Sequence, residues 1–146
     1  MLISNCSYLN TILLSENNTP LPVSESEFIL VYLKDVQFTL KLGSDSLKSN
    51  IGALFLTNLR AVYVPWGMHD FKSFYVPLRR ITTSNSNNFR IMCENGQLGT
   101  VELSGHSLLT TLFFPELKEI LSGITVEGVE DLSDDDVPLY SEILED

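Results

Sequence analysis

Cysteine is scarce in this sequence: Cys6 and Cys93 are the only two. Two cysteines cannot build the multi-disulfide framework that staples small secreted domains, so each is expected to be a reduced, small apolar side chain. The opening stretch Met1-Leu2-Ile3-Ser4-Asn5-Cys6 has no lysine or arginine, and its apolar residues are broken by serine and asparagine. No secretion signal is expected there. Long apolar runs are also missing; none approaches the ~20 residues that a membrane-spanning helix needs. Asn5-Cys6-Ser7 and Asn17-Asn18-Thr19 fit the glycosylation sequon, but without a secretion signal the match reads as chance. The expectation is an intracellular protein, cytoplasmic or nuclear.

Basic residues are missing from one end. No lysine or arginine follows Lys118, while nine of the 19 acids lie between Glu127 and Asp146. Residues 1–126 hold ten acids against nine bases, so the net charge of -10 belongs to a tail and the rest is close to neutral. With no strongly basic face to displace counterions, duplex nucleic acid is not an expected partner. The signatures of catalysis are missing as well. There is no Gly-x-Gly-x-x-Gly, no P-loop, and no metal-ligand spacing among Cys6, Cys93, His69 and His106. His69-Asp70 and His106 fall in turns with no marked nucleophile beside them, and Ser104-Gly105-His106-Ser107 is not a nucleophile elbow. No enzyme, metal or cofactor is expected.

What the sequence does contain is a succession of short strand patterns. Phe28-Ile29-Leu30-Val31-Tyr32-Leu33 is a continuous apolar run of the length of a buried strand, and Val36, Phe38, Leu40 and Leu42 then alternate with Gln37, Thr39 and Lys41. A polar loop is expected over 43–50. Gly52 to Thr57 and Arg60 to Pro65 read as a hairpin turned at Asn58-Leu59, with Pro65 and Gly67 ending it. Phe71 to Val76 is a further segment before Pro77, and Ile81-Thr82-Thr83 is a candidate continuation. Past the Ser84–Asn88 loop, Phe89, Ile91 and Cys93 alternate up to a turn at Glu94-Asn95-Gly96, and Gly99 to Leu103 returns. After Ser104-Gly105-His106 a β-branched and aromatic run ends at Phe114. Pro115 suits a first helical position, Leu117, Ile120 and Leu121 share one face, and Gly123 is a natural stop. This pattern predicts a mainly β fold, a small barrel or strongly bent antiparallel sheets, closed by one C-terminal helix. Residues 1–23, with Pro20 and Pro22, are expected as an arm and linker, 24–123 as the domain, and 124–146 as an acidic tail that is disordered until bound.

Three stretches in order carry a resemblance: Ser26-Glu27-Phe28-Ile29-Leu30, then Gly52-Ala53-Leu54-Phe55-Leu56-Thr57-Asn58-Leu59-Arg60-Ala61-Val62-Tyr63, then Phe71-Lys72-Ser73-Phe74-Tyr75-Val76-Pro77-Leu78. Over roughly residues 25–121 the chain resembles the WW-domain-binding protein 2 family. That family has a PH-like (GRAM) domain with a Gly-x-x-Tyr-Leu-Thr-x-x-Arg hairpin and a Ser-Phe-x-x-Pro strand end. Here Phe55 stands at the tyrosine position and Arg60 matches. The resemblance implies a PH-like domain, and an adaptor or transcriptional co-regulator that engages WW-domain proteins such as ubiquitin ligases or co-regulators through a Pro-Pro-x-Tyr motif. Val137-Pro138-Leu139-Tyr140 is the counterpart, with valine in place of the first proline. Physically, a pre-set proline and a tyrosine two residues later meet separate pockets of a WW groove. Flanking acids favour a basic-rimmed partner, with an attraction that salt weakens.

Rival readings share these residues. The segment from Val137 to Ile143 can instead dock on its own domain, and Tyr140-Ser141-Glu142-Ile143 also fits a Tyr-x-x-apolar sorting signal. Phosphate on Tyr140 would block an apolar pocket by adding charge. PH-like folds often hold inositol phosphates, which makes membrane phosphoinositides the alternative ligand class. Arg60, Lys72, Arg79 and Arg80 are the candidate anion or lipid contacts, with Lys34, Lys41 and Lys48 scattered around them. Arg79-Arg80 is the only adjacent basic pair, and Arg60, just past the hairpin turn, can equally satisfy turn carbonyls or pair with an acid.

Overall fold

A computed structural model describes residues 6–67 and 71–130. Among them are nine strands: β1 (Ile29–Leu33), β2 (Gln37–Leu42), β3 (Asp45–Ser49), β4 (Gly52–Thr57), β5 (Arg60–Pro65), β6 (Phe74–Pro77), β7 (Ile81–Ser84), β8 (Asn88–Met92) and β9 (Leu98–Ser104). The helix α1 (Phe114–Glu130) follows. The strands form two antiparallel sheets, ordered β1-β4-β5-β6 and β3-β2-β9-β8-β7. The sheets are bent across a shared core and do not close into a barrel.

Alternation decides which side chains enter that core. In β2, Phe38, Leu40 and Leu42 point inward while Gln37 and Lys41 face solvent, and β9 does the same with Val101 and Leu103. Phe38 joins the sheets: its ring stacks on Tyr63 of β5 at 4.5 Å and meets Phe71 and Phe74 at 5.4 and 5.2 Å. The Tyr63 hydroxyl is shared between the Val36 carbonyl at 2.7 Å and Ser49 Oγ at 2.9 Å. Its ring passes over Gly52, where a Cβ would lie 2.5 Å from that hydroxyl, so β4 begins on the one residue that leaves room.

Several expectations are corrected. The expected 43–50 loop contains β3, which pairs with β2 around a two-residue turn at Gly43-Ser44, with Gly43 at φ +60. Leu47 and Ser49 of that short strand turn inward, a period too brief to stand out among serines. The run after His106 is helical, not extended: a π-helical turn, Leu109–Phe113, leads directly into α1. That widened turn explains how Pro115 sits inside a helix. Phe114 N–H reaches back to the Leu109 carbonyl, which relaxes the spacing just where a proline lacks a donor. Leu109, Phe113, Phe114 and Leu117 of this segment are buried, and α1 lies against β7. Gly123 does not stop the helix, which runs through Glu130.

The segment expected as an arm and linker enters the core. Tyr8 and Leu9 are buried, Leu9 bridges Phe74, and Tyr75 N–H donates to the Tyr8 carbonyl at 3.0 Å. Across the molecule the Tyr8 hydroxyl donates to the Met92 carbonyl at 3.0 Å, pinning the arm to β8. Leu14 then bridges Pro20 around a closed turn in which Ser15 N–H donates to the Thr19 carbonyl at 2.8 Å, and Asn18 takes φ 62. This turn lays Ile12 and Leu14 over Ala53, Phe55, Val62 and Val64 on the outer face of the first sheet. That is why β4 and β5 are buried at every position: their inner face meets the core and their outer face meets the arm.

Candidate binding groove

The arm does not cover the outer face completely. Between its return stretch and the end of β5–β6 runs a groove of about 790 Å³. Ile12, Leu13, Leu21 and Val23 form one wall; Leu59, Tyr75 and Pro77 form the other, with Arg60 and Arg79 also lining it. Leu13 and Val23 are 73% and 64% exposed, an apolar content that exceeds what a solvated wall needs. Burial pushes the Tyr75 hydroxyl above its ordinary value, aided by the carboxylate of Glu94 and opposed by Arg60, so at neutral pH it is an uncharged donor beside the apolar wall.

One ion pair builds the groove. Thr57 Oγ1 accepts from the Leu59 and Arg60 amides at 3.0 Å, closing the β4–β5 turn and placing Arg60 at its exit. Arg60 Nε donates to Glu27 Oε2 at 2.8 Å, and Nη2 donates to Glu27 Oε1 at 3.3 Å and to the Leu21 carbonyl at 2.8 Å. Glu27 also accepts from Thr57 Oγ1 at 2.7 Å and from Val23 N–H at 2.8 Å. The side chains of Arg60 and Glu27 are 8% and 3% exposed. The pair thus ties Leu21 and Val23, the end of the arm, to the hairpin turn.

This geometry sorts the basic candidates. Arg60, weighed both as an anion ligand and as the partner of an acid, is the partner of Glu27. Arg79 and Arg80 share a 3-10 turn, Leu78–Arg80, yet they diverge. Arg79 is exposed and lines the groove, whereas Arg80 is half-buried and its charge acts on Tyr8, on the other side of the turn. Lys72 is exposed, and its amide donates to Asn10 Oδ1 at 2.6 Å. The only adjacent basic pair is therefore split between two surfaces, and only Arg60 and Arg79 of the four line the groove. His106 accepts the Leu108 amide through Nδ1 at 3.0 Å, at the entry to the helix. Trp66 packs at the rim of the outer cluster. Val137, Pro138, Leu139 and Tyr140 lie outside the described residues, as does His69.

Sequence reasoning missed the groove because its walls come from segments that look like linker. The signal was Leu9, Ile12, Leu13 and Leu14 ahead of Pro20 and Pro22: too many aliphatics for a strand left in water. Glu27 was also missed, since an acid before an apolar run reads as a solvated strand end.

No protein-family model and no curated protein matches the chain. Among solved structures, the Vps36 N-terminal PH domain is similar, with a TM-score of 0.62 and 17% identity, over 82% of this chain and 96% of that one. At that identity the likeness establishes the fold: the chain is a PH-like domain.

Proposed function

We propose that this chain is a non-catalytic adaptor whose PH-like domain binds proteins through the groove and whose acidic segment recruits WW-domain proteins through Val137-Pro138-Leu139-Tyr140. The observation that carries protein binding is the groove itself, a cleft of about 790 Å³ with aliphatic walls and exposed Leu13 and Val23 at its edge. An extended peptide buries apolar side chains in such a cleft at roughly 25 cal/mol per Å². The WW half of the proposal rests on the resemblance and on the pairing of a proline with a tyrosine two residues on.

Titration of the full chain with a panel of WW domains tests recruitment. Binding is expected to weaken by at least about tenfold in Tyr140→Ala, the loss of one anchoring pocket. Binding that ignores this substitution, or none at all, removes the WW role. Peptides selected by display against the full chain test the groove. Their affinity is expected to fall in Leu13→Asp and Val23→Asp and to survive Tyr140→Ala; peptides indifferent to the groove variants overturn that half.

A phosphoinositide ligand is the second reading, favoured by the exposed Arg79 at the groove. Here the wild-type chain floats with phosphoinositide vesicles and Arg79→Ala does not, while Arg80→Ala, on the other side of the turn, still floats. Failure of the wild type to float rejects it.

A further inference from the structure

The groove and the acidic segment have complementary chemistry. Arg79, beside the aliphatic walls, is exposed and has no ion-pair partner among the described residues. Arg60, the other cation there, is neutralised by Glu27, and no acid is among the lining residues, so the cleft carries one uncompensated positive charge. The segment offers the converse. Val137, Leu139, Tyr140 and Ile143 are flanked by Asp134 to Asp136 on one side and by Glu145 and Asp146 on the other, with no lysine or arginine among them. In an extended chain Val137 and Leu139 fall on one face, a spacing that lets both enter an apolar cleft while the carboxylates stay at its mouth. The tether is long enough. Helix α1 packs against the 3-10 turn that bears Arg79, so Glu130, within the same 17-residue helix, lies no more than about 35 Å from that turn at a rise of ~1.5 Å per residue. Ten extended residues carry the chain from Glu130 to Tyr140 over about 35 Å.

We propose that the stretch from Val137 to Tyr140 docks in the groove of its own chain, so that the groove and a WW domain compete for one segment. The inference rests on the groove being a peptide-binding cleft and adds its regulation. Docking covers Leu13 and Val23, the exposed aliphatic side chains of the arm wall, and sets an acid beside Arg79. The contact needs little intrinsic strength. A tether of this kind supplies an effective concentration of ~1 mM, so a cleft that holds the free segment at ~0.1 mM is about 90% closed. A WW domain then meets only the open tenth, and its apparent affinity falls about tenfold, as does that of any peptide entering the groove from outside. A partner that binds either element frees the other.

Amide exchange of the full chain, read by mass spectrometry, tests the contact from both sides. Leu139→Asp should speed exchange over residues 11–23, and Leu13→Asp, at a side chain 73% exposed, should speed it over 137–143, each at least about fivefold. Arg79→Glu sets like charges together and should speed exchange over 137–143 as well. Protection in the wild type should hold across about a hundredfold dilution, since the tether fixes the effective concentration. Groove-selected peptides should bind about tenfold tighter to Leu139→Asp than to the wild type, and WW domains about tenfold tighter to Leu13→Asp. Exchange that ignores both aspartate variants overturns the proposal, and so does protection lost on dilution, which would place the segment on a second copy. Peptides that need Leu13 yet bind the wild type and Leu139→Asp equally overturn this proposal and leave the groove a binding site; peptides indifferent to Leu13 overturn both.

Discussion

The two sheets solve the problem of an outer face in opposite ways. The β3-β2-β9-β8-β7 sheet leaves that face wet, with Lys41, Thr39, Glu102 and Arg90 on it, and its strands alternate between buried and open positions. The β1-β4-β5-β6 sheet covers it with Ile12 and Leu14, and its central strands are buried throughout. A continuous apolar strand therefore announces a second covering layer, and that layer must come from elsewhere in the chain. At β1 the cover fails: Ile29, Leu30 and Tyr32, with Phe28 just before the strand, stay exposed, and Tyr32 stacks on Phe55 at 4.8 Å.

The hardest blow to the covered sheet is to cut the arm's ionic anchor. Arg60→Ala leaves the Glu27 carboxylate nearly solvent-free without its cation, and is expected to cost about 3–5 kcal/mol in urea unfolding. A loss below ~1 kcal/mol would mean that water reaches Glu27 and that the pair does not organise the groove. Glu27→Leu with Arg60→Met removes both charges together and should cost far less than the sum of the two single changes.

Next comes the covering layer itself. Phe55→Ala, on the outer face beneath the arm, is expected to cost about 3 kcal/mol, as a core deletion does. Thr39→Ala, on the outer face of the other sheet, should stay within about 0.5 kcal/mol. Equal costs at the two positions would abolish the contrast between the sheets.

Where the sheets meet, Tyr63 supplies both packing and a buried hydroxyl. Tyr63→Phe keeps the stack on Phe38 but strands the Val36 carbonyl and removes the donor to Ser49 Oγ, which keeps its bond to the Ile51 carbonyl, for a loss of about 1–3 kcal/mol. Burial pushes the Tyr63 hydroxyl up to about 12, with its bond to Ser49 pulling the other way, and burial does the same to Tyr8 against the pull of Arg80. For a group raised in the folded state, the stability it contributes is complete below the unfolded value of about 10 and drains as pH rises from there through the folded value. Unfolding free energy should therefore drop between about pH 10 and 12, and Tyr63→Phe should flatten that slope in a pH-resolved denaturation series.

The same contrast explains what the sequence made legible. In the wet sheet β2, β8 and β9 could be read almost residue by residue, because alternation survives in them, whereas β3 is too brief to show it. So could the β4–β5 hairpin, whose Asn58-Leu59 turn and Arg60 lie where the pattern put them. The arm was opaque because single residues place it: Tyr8 and Leu9 are held by bonds to β6 and β8, and Ile12 and Leu14 by apolar packing on the outer face. The π-helical entry was opaque for a different reason: Leu109 to Phe113 carry threonines and a phenylalanine that suit a strand, and burial of Leu109, Phe113 and Phe114 in the core overrides that preference. The groove was hidden with the arm, since no segment read alone predicts a cleft between an arm and a sheet edge.

The smallest expected effect lies on the wet face, where Lys41 of β2 reaches diagonally to Glu102 of β9, the register partner of Thr39, at 3.1 Å. This pair looks like the Arg60–Glu27 pair in a contact map, yet its side chains are 52% and 44% exposed. Water screens both charges, and ordering two long side chains costs entropy, so Lys41→Ala should lose no more than about 0.5 kcal/mol and less still in high salt. A double-mutant cycle over Lys41 and Glu102, set beside one over Arg60 and Glu27, puts the two sheets on one scale. If the exposed pair couples as strongly as the buried one, burial by the arm is not what gives Arg60 its weight.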